Sequence, residues 1–543
     1  MSNKKIDLGV LGQLGASDRE HILGMVKGGA TRREVMAWMM ASGATVAVAG
    51  SVFGAAEKAL ANTPKRGGSL RIAGDQHGPA DTLDPILGTA SIDYFRGRMF
   101  YGSLVRLQDD LSYEPELAEE VLTNDDATEW TFKIRRGVEF HDGKTLTADD
   151  VVYSMNRHMG ENSASVSSSL VDMVERWEKV NDYEVRAVLA SPNADLPNAL
   201  GTFHFKIVQD GWEDFSTTVG TGPYKVEDFS PGVRTIGVRN ENYWEDGAYL
   251  DSIEHFGIGD SVSRVNAFMA GDVDLMANVP ASFIEQIEQT EGRDIWSVES
   301  AKYLNIAVRM DIEPYNNPDL IKAMQYLMDR NRLVRGTLKG QGSLGNDHPI
   351  GPAYFDHCPD IPQRELDHDK AKWHFERSGI GSTTIPVITA EVGQGTVEQC
   401  LFLQREAATI GMNIDVQKVT TDGYWGAVWM TAPICVVNWN MRPTANIMLT
   451  LAYKGDAPWN ESYWVNDQFD ELLVNVRAVT DPDTRRQMYC DMQTLIHEEA
   501  GTILPAFSNY VDGVASVVQG RTYVPLGIFG GSESAPYLWR SDA

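Results

Sequence analysis

From about residue 66 onward, apolar positions switch repeatedly between a period of two and a period near 3.6. "GSLRIAGDQ", starting at Gly68, alternates through Leu70 and Ile72 and reads as a short strand leading to a loop with Asp84-Pro85. "SIDYFRGRMFYGSLVRL" then places Ile92, Phe95, Met99 and Phe100 at helical spacing, with Gly102 as its stop. Strand alternation returns in "EWTFKIRRGVEF" through Trp130, Phe132 and Ile134. Thr147 with Asp150 three residues on forms a capping box, opening a helix that buries Val151, Val152 and Met155. "EKVNDYEVRAVL" turns at Asn181-Asp182 and reads as a hairpin.

The second half repeats the alternation with longer helices. "PDLIKAMQYLMDRNRLVRGTL" begins with a proline in its first turn and puts Leu320, Met324, Leu327 and Met328 on one stripe, which predicts one helix over the segment. "TVEQCLFLQREAATIGMNIDVQKV" is a helix stopped at Gly411 and followed by a strand through Ile414, Val416 and Val419. "TRRQMYCDMQTLIHEEAG" is a helix with Met488, Met492, Leu495 and Ile496 inward and Gly501 as its stop. Such mixing predicts α/β domains, and 543 residues exceed what one core holds. There is no internal repeat and no low-complexity linker, so the domains are expected to be joined by several short crossings.

The formal net charge is −29, which repels phosphate backbones and excludes nucleic acid as an expected partner. Four cysteines (Cys358, Cys400, Cys435, Cys490) lie far apart without a CxxC, and the sequence does not choose among their pairings. Gly340-Gln-Gly342-Ser-Leu-Gly345 matches GxGxxG, yet it follows a helix and leads into "NDHPIGP", the reverse of a dinucleotide site. His348, His357 and Cys358 share a loop, but prolines there hold histidines for many reasons, and no metal or other cofactor is expected. Asp125-Asp126 and Asp149-Asp150 read as solvated faces and helix starts. No nucleophile elbow or zincin motif is present, so the sequence offers an enzyme no constellation.

Residues 1–61 carry export signals instead. Arg32-Arg33 precede a mildly apolar stretch, Ala37 to Ala56, and Ala59-Leu60-Ala61 then supplies small residues at −3 and −1 of a cleavage site. The pattern resembles a twin-arginine signal, with the mature start near Asn62. A membrane anchor is the alternative for those twenty residues, weakened by Gly43, Thr45, Gly50 and Gly54 within them.

Aromatic residues gather late in the chain: Tyr424, Trp425, Trp429, Trp439, Trp459, Tyr463 and Trp464. Among them "NWNMRP" sets Arg442 behind a tryptophan and in front of a proline, either as a solvated loop residue or as the placed cation of an apolar pocket.

Several segments resemble family 5 extracellular solute-binding proteins, the peptide and nickel class that feeds ABC importers. They are "TLDPILGTASIDYFRGRMFYGSLVRL", "YEPELAEEV", "WTFKIRRGVEFHDGKTLTADDVVYSMNR", "GTGPYKV" and "NENYWEDG", in family order between about Arg66 and Gly520. The resemblance implies a bilobal periplasmic-binding-protein fold with a third lobe and a hinged cleft. By motif order, domain I takes 62–103, 220–305 and 506–543, domain II 104–219, and domain III 306–505. It also implies a periplasmic monomer that binds a small molecule or short peptide and serves an ABC permease with its ATPase subunits.

In peptide-binding relatives an aspartate shortly after the tryptophan matched here by Trp439 pairs with the peptide's ammonium. This chain has Arg442 at about that position, and a guanidinium holds a carboxylate, phosphate or sulfonate instead. Other branches of the family also carry Arg-Pro here with varied ligands, so the exchange leaves peptides open. The resemblance further implies that Trp425 and Trp439 stack on the ligand, that Asn440 hydrogen-bonds to it, and that Gly88, Thr89 and Ala90 offer it backbone groups. An exported hydrolase, or a chaperone or chemoreceptor adaptor on the same fold, is the alternative.

Overall fold

The computed structural model describes residues 63–543 and a few positions between 18 and 39. Arg32, Arg33, Ala59 and Ala61 lie outside the described residues.

One core forms on a four-stranded antiparallel sheet, ordered Ala118–Thr123, Glu129–Ile134, Glu184–Leu189, Val174–Asn181. Trp130, Phe132 and Ile134 bury one face of their strand, as a period of two requires. The helix Ala148–Asn156 joins that core through Val151 and Met155. Its capping box is made, with the Thr147 N–H donating to Asp150 Oδ2 at 2.9 Å.

The remaining core residues pack on an 11-stranded mixed sheet. At its centre run two long antiparallel strands, Arg293–Val308 and Thr502–Ala515. On one flank, Leu275–Met276, Ser69–Gly74 and Ser252–Gly257 build a core with Phe95, Trp296 and Val298. On the other, Ile434–Trp439, Ile385–Thr389 and Ile414–Lys418 enclose Ile306, Met324, Val387 and Leu403. The long strands thus change cores along their length, and their pairing slips between Val298 and Lys302, where the change occurs. The crossing between the flanks is therefore made by the longest strands of the sheet, against the short crossings expected from the sequence.

The single helix expected from Pro318 is broken. Helix Pro318–Tyr326 stops, Asp329 caps a new start by accepting from the Arg332 N–H at 3.0 Å, and Leu333–Thr337 widens into a π-helical turn. Arg330 folds back onto the Gln325 carbonyl at 3.1 Å and the buried Asp347 at 2.6 Å, partners that an unbroken helix would leave behind.

Cys358 and Cys490 form a disulfide that ties the loop after Ile350 to the helix Pro482–Glu499. Cys400 and Cys435 are buried thiols. The bond takes Cys358 out of any thiolate ligand set, and among the described residues no group of three metal-ligating side chains converges. The glycines of the GxGxxG match serve close packing. A Cβ at Gly342 would lie 2.3 Å from the Phe507 carbonyl oxygen, and one at Gly345 would lie 2.3 Å from that of Leu504.

Candidate ligand cleft

The corner that carries Arg442 is built by strong local signals. β-Branched residues run the strand Ile434–Trp439, whose last residue pairs with Tyr303 of the central strand. Pro443 keeps Arg442 out of helical geometry, and Thr444 then caps the helix Ala445–Ala452, its Oγ1 accepting from the Ile447 N–H at 3.2 Å. Tyr354 clamps the corner from outside. Its Oη accepts from the Arg442 N–H at 3.0 Å and donates to the Arg442 carbonyl at 2.9 Å. Buried Met441 pins the other side, its Sδ accepting from the Ala301 N–H at 3.2 Å.

With its backbone held, the Arg442 side chain is free to act. Its guanidinium carbon sits 5.6 Å from the Trp439 ring centre. Among the described residues no carboxylate lies within ion-pair distance of it, and none of its side-chain nitrogens donates a hydrogen bond. Burial raises the phenols of Tyr94, Tyr303, Tyr354 and Tyr510, and the positive charge of Arg442 opposes that rise at each of them. Four phenols from separate elements therefore share the field of one unpaired cation.

Trp439 does not stand open as a stacking wall. It is 5% exposed, with Tyr303 stacked on it at 6.3 Å and Arg442 beside it. Its indole N–H donates to Glu461 Oε2 at 3.1 Å, and Trp429 donates to the same oxygen at 3.0 Å. Asn305 Nδ2 donates to the other oxygen at 2.9 Å. Burial raises the Glu461 carboxyl, and these three donors pull it back toward the charged form. Glu461 thus keys two tryptophans to the central strand, and Trp439 in turn supports Arg442.

Trp425 stands apart in the short helix Tyr424–Ala427. It is 45% exposed and reaches Trp439 through Trp429 and Trp459, in edge or tilted contacts of 5.8 to 6.3 Å. Asn440 is exposed and, with Trp439 and Lys302, lines a cavity of about 170 Å³.

The Gly88–Ala90 loop is more occupied than the resemblance implied. The Thr89 and Ala90 N–H groups both donate to Asp93 Oδ2, at 3.3 and 3.2 Å, and the Gly88 carbonyl contacts His204 Nε2 at 2.9 Å. The cavity at Gly88 holds about 10 Å³. Asp93 caps the helix Ser91–Phe100 through these donors and so takes the groups that were expected to face a ligand.

Tyr354 and Glu461 escaped the sequence reading. Neither belongs to a motif, and a spacing rule cannot show that a tyrosine 88 residues away bonds both backbone groups of one residue.

Residues 112–486 match the family model of bacterial extracellular solute-binding proteins, family 5, middle region. The chain belongs to this family. Among its relatives, the oligopeptide-binding protein AppA of Bacillus subtilis is 26% identical, over 86% of this chain and 91% of that protein. The glutathione-binding protein GsiB of Pectobacterium atrosepticum is 23% identical, over 91% of this chain and 96% of its own. The fold matches the periplasmic binding protein DppA of Helicobacter pylori, solved with a peptide, at TM-score 0.70 and 22% identity, covering 88% of this chain and 99% of that one. These neighbours establish the bilobal periplasmic-binding-protein fold with its third lobe. Members of the family are bacterial extracellular solute-binding proteins.

Proposed function

We propose that this chain is the solute receptor of an ABC importer and captures a small peptide or peptide-like organic solute bearing an acidic group. The observation that carries the reading is Arg442: a guanidinium with a clamped backbone and, among the described residues, no carboxylate partner, set among Tyr94, Tyr303, Tyr354 and Tyr510. In a protein of net charge −29, leaving such a group unpaired in a cleft suits an anionic visitor. Relatives that bind oligopeptides and glutathione support the solute class.

In this reading domain I (62–103, 220–305, 506–543), which carries Gly88–Ala90, and domain III (306–505), which carries Trp425, Asn440 and Arg442, close on the solute like a hinge, and domain II (104–219) packs on the first. Binding favours the closed state because the solute touches both sides. The chain acts as a monomer in the periplasm after twin-arginine export and cleavage near Ala61, and delivers its solute to a permease with two ATPase subunits. Asn440 hydrogen-bonds the solute beside Arg442, and the exposed face of Trp425 meets its far end.

Native mass spectrometry of the exported protein, purified without refolding, tests the reading. A retained acidic solute is the expected result, and its readdition to stripped protein at about 100-fold over Kd adds about 2.7 kcal/mol of stability. Stripped protein that no peptide, opine, sugar acid or organic acid stabilises would refute it.

A further inference from the structure

Among the described residues a second cation is unpaired, in a cavity beside this corner. Lys302 lies on the central strand at the slip in pairing, opposite Ser508, and its Nζ sits 4.1 Å from the ring centre of Tyr510. It lines the 170 Å³ cavity together with Trp439, Asn440 and Asn509. Among the described residues no carboxylate comes within ion-pair distance of this ammonium, and no acceptor takes a hydrogen bond from it. Buried Lys206 shows what a structural lysine does here: its Nζ meets Ser103 Oγ at 2.9 Å and Glu533 at 3.7 Å.

Two acids act on Lys302 through space, and both are committed elsewhere. Asp512 accepts from the Asn278 N–H at 2.9 Å and the Phe529 N–H at 2.6 Å. Asp75 accepts from Ser91 Oγ at 3.1 Å and Asn278 Nδ2 at 2.6 Å. Tyr510 connects the two cations, since its ring carries the Lys302 ammonium and its phenol lies in the field of Arg442.

We propose that Lys302, with Tyr510 beside it, is a second anion-anchoring point in the cleft, and that the captured solute carries two separate acidic groups, one for Arg442 and one for Lys302. The proposal rests on the receptor reading above and deepens it. An ammonium desolvated without a partner is costly, and a ligand carboxylate is the group that removes that cost. Burial lowers the Lys302 ammonium to about 8, as expected for a charge awaiting its counter-ion. The cavity has ample room for a carboxylate and its water, since one water needs about 10–15 Å³ of such space.

The test uses the mature protein, stripped of any retained solute, and three dipeptides of one size. Alanyl-glutamate carries two carboxylates, alanyl-glutamine one, and alanyl-glutamine amide none. Glutarate, adipate and citrate extend the acids beyond peptides, and titration calorimetry reads each Kd. The expected result is a Kd for alanyl-glutamate, or for a free diacid over its monoamide, at least tenfold lower on the native protein. That preference should vanish in Lys302→Met and persist in Lys302→Arg, with both variants melting as cooperatively as the parent. Equal binding of the one- and two-carboxylate probes overturns the proposal, as does a preference that survives Lys302→Met. Silence of every diacid overturns it too. A neutral or singly acidic solute found by native mass spectrometry would overturn it while leaving the receptor reading intact, whereas failure of the whole solute panel would remove both.

Discussion

Arg442→Ala separates a ligand anchor from a structural arginine. The guanidinium makes no ion pair among the described residues, so its loss leaves no buried carboxylate stranded. The backbone bonds to Tyr354 do not involve the side chain and survive. What the empty protein loses is the contact with Trp439, worth about 0.5–1 kcal/mol. At about 2–4 °C per kcal/mol for a unit of 150–250 residues, that is a fall in Tm of no more than about 1–4 °C. A bound acid loses more. A charge-assisted, bidentate contact is worth about 1.5–3 kcal/mol, and with about 1.4 kcal/mol to each tenfold the Kd should rise roughly 10- to 150-fold. Titration calorimetry with the retained solute measures the change in Kd, and scanning fluorimetry of stripped protein measures the change in Tm. Arg442→Lys should fall between, because an ammonium keeps the charge but not the fork. An unchanged Kd together with a Tm drop beyond about 8 °C would show that the side chain supports the fold, and the reasoning from its missing partner would fail.

Glu461→Gln should cost about 1–3 kcal/mol in urea unfolding and alter tryptophan emission, because the new NH2 must face either Asn305 or the two indoles, all of which donate. Unchanged stability and emission would mean the carboxylate does not key the aromatic residues. Lys302→Met should stabilise the empty protein at pH 7. Folding lowers this ammonium from its ordinary 10.5 to about 8, so the native state binds the proton less tightly than the unfolded chain, and the lysine's penalty fades as pH rises from 8 through 10.5. A gain in urea midpoint that does not shrink over that window would contradict the assignment. Cys358→Ser with Cys490→Ser should lower stability by about 2–5 kcal/mol, since the bond closes a separation of 132 residues. An identical melting curve with and without reductant would show that the bond carries no such load.

Local patterning was legible wherever a signal and its consequence lie within one element. The Thr147–Asp150 box, the alternation through Trp130, Phe132 and Ile134, and the Asn181-Asp182 hairpin all form as their spacing predicts. The helix from Pro318 misled because its apolar stripe continues past a break set by Asp329 and by an Arg330–Asp347 pair across 17 residues. Periodicity reports which side of a helix is apolar, not which side chains will compete for its backbone.

At the cleft the division follows the same physics. Residue order was enough to single out Arg442 as a cation behind a tryptophan, and the strand–corner–capped helix around it follows from Val436, Pro443 and Thr444. Order could not say that Trp439 spends its faces on Tyr303 and Arg442, or that Asp93 consumes the Thr89 and Ala90 donors. Nor could it bring the Lys302 ammonium over the ring of Tyr510 while the field of Arg442 reaches the same phenol. Whether a polar group is spent inside the protein or left for a ligand depends on partners tens to hundreds of residues away, and long-range packing alone brings those partners within bonding distance.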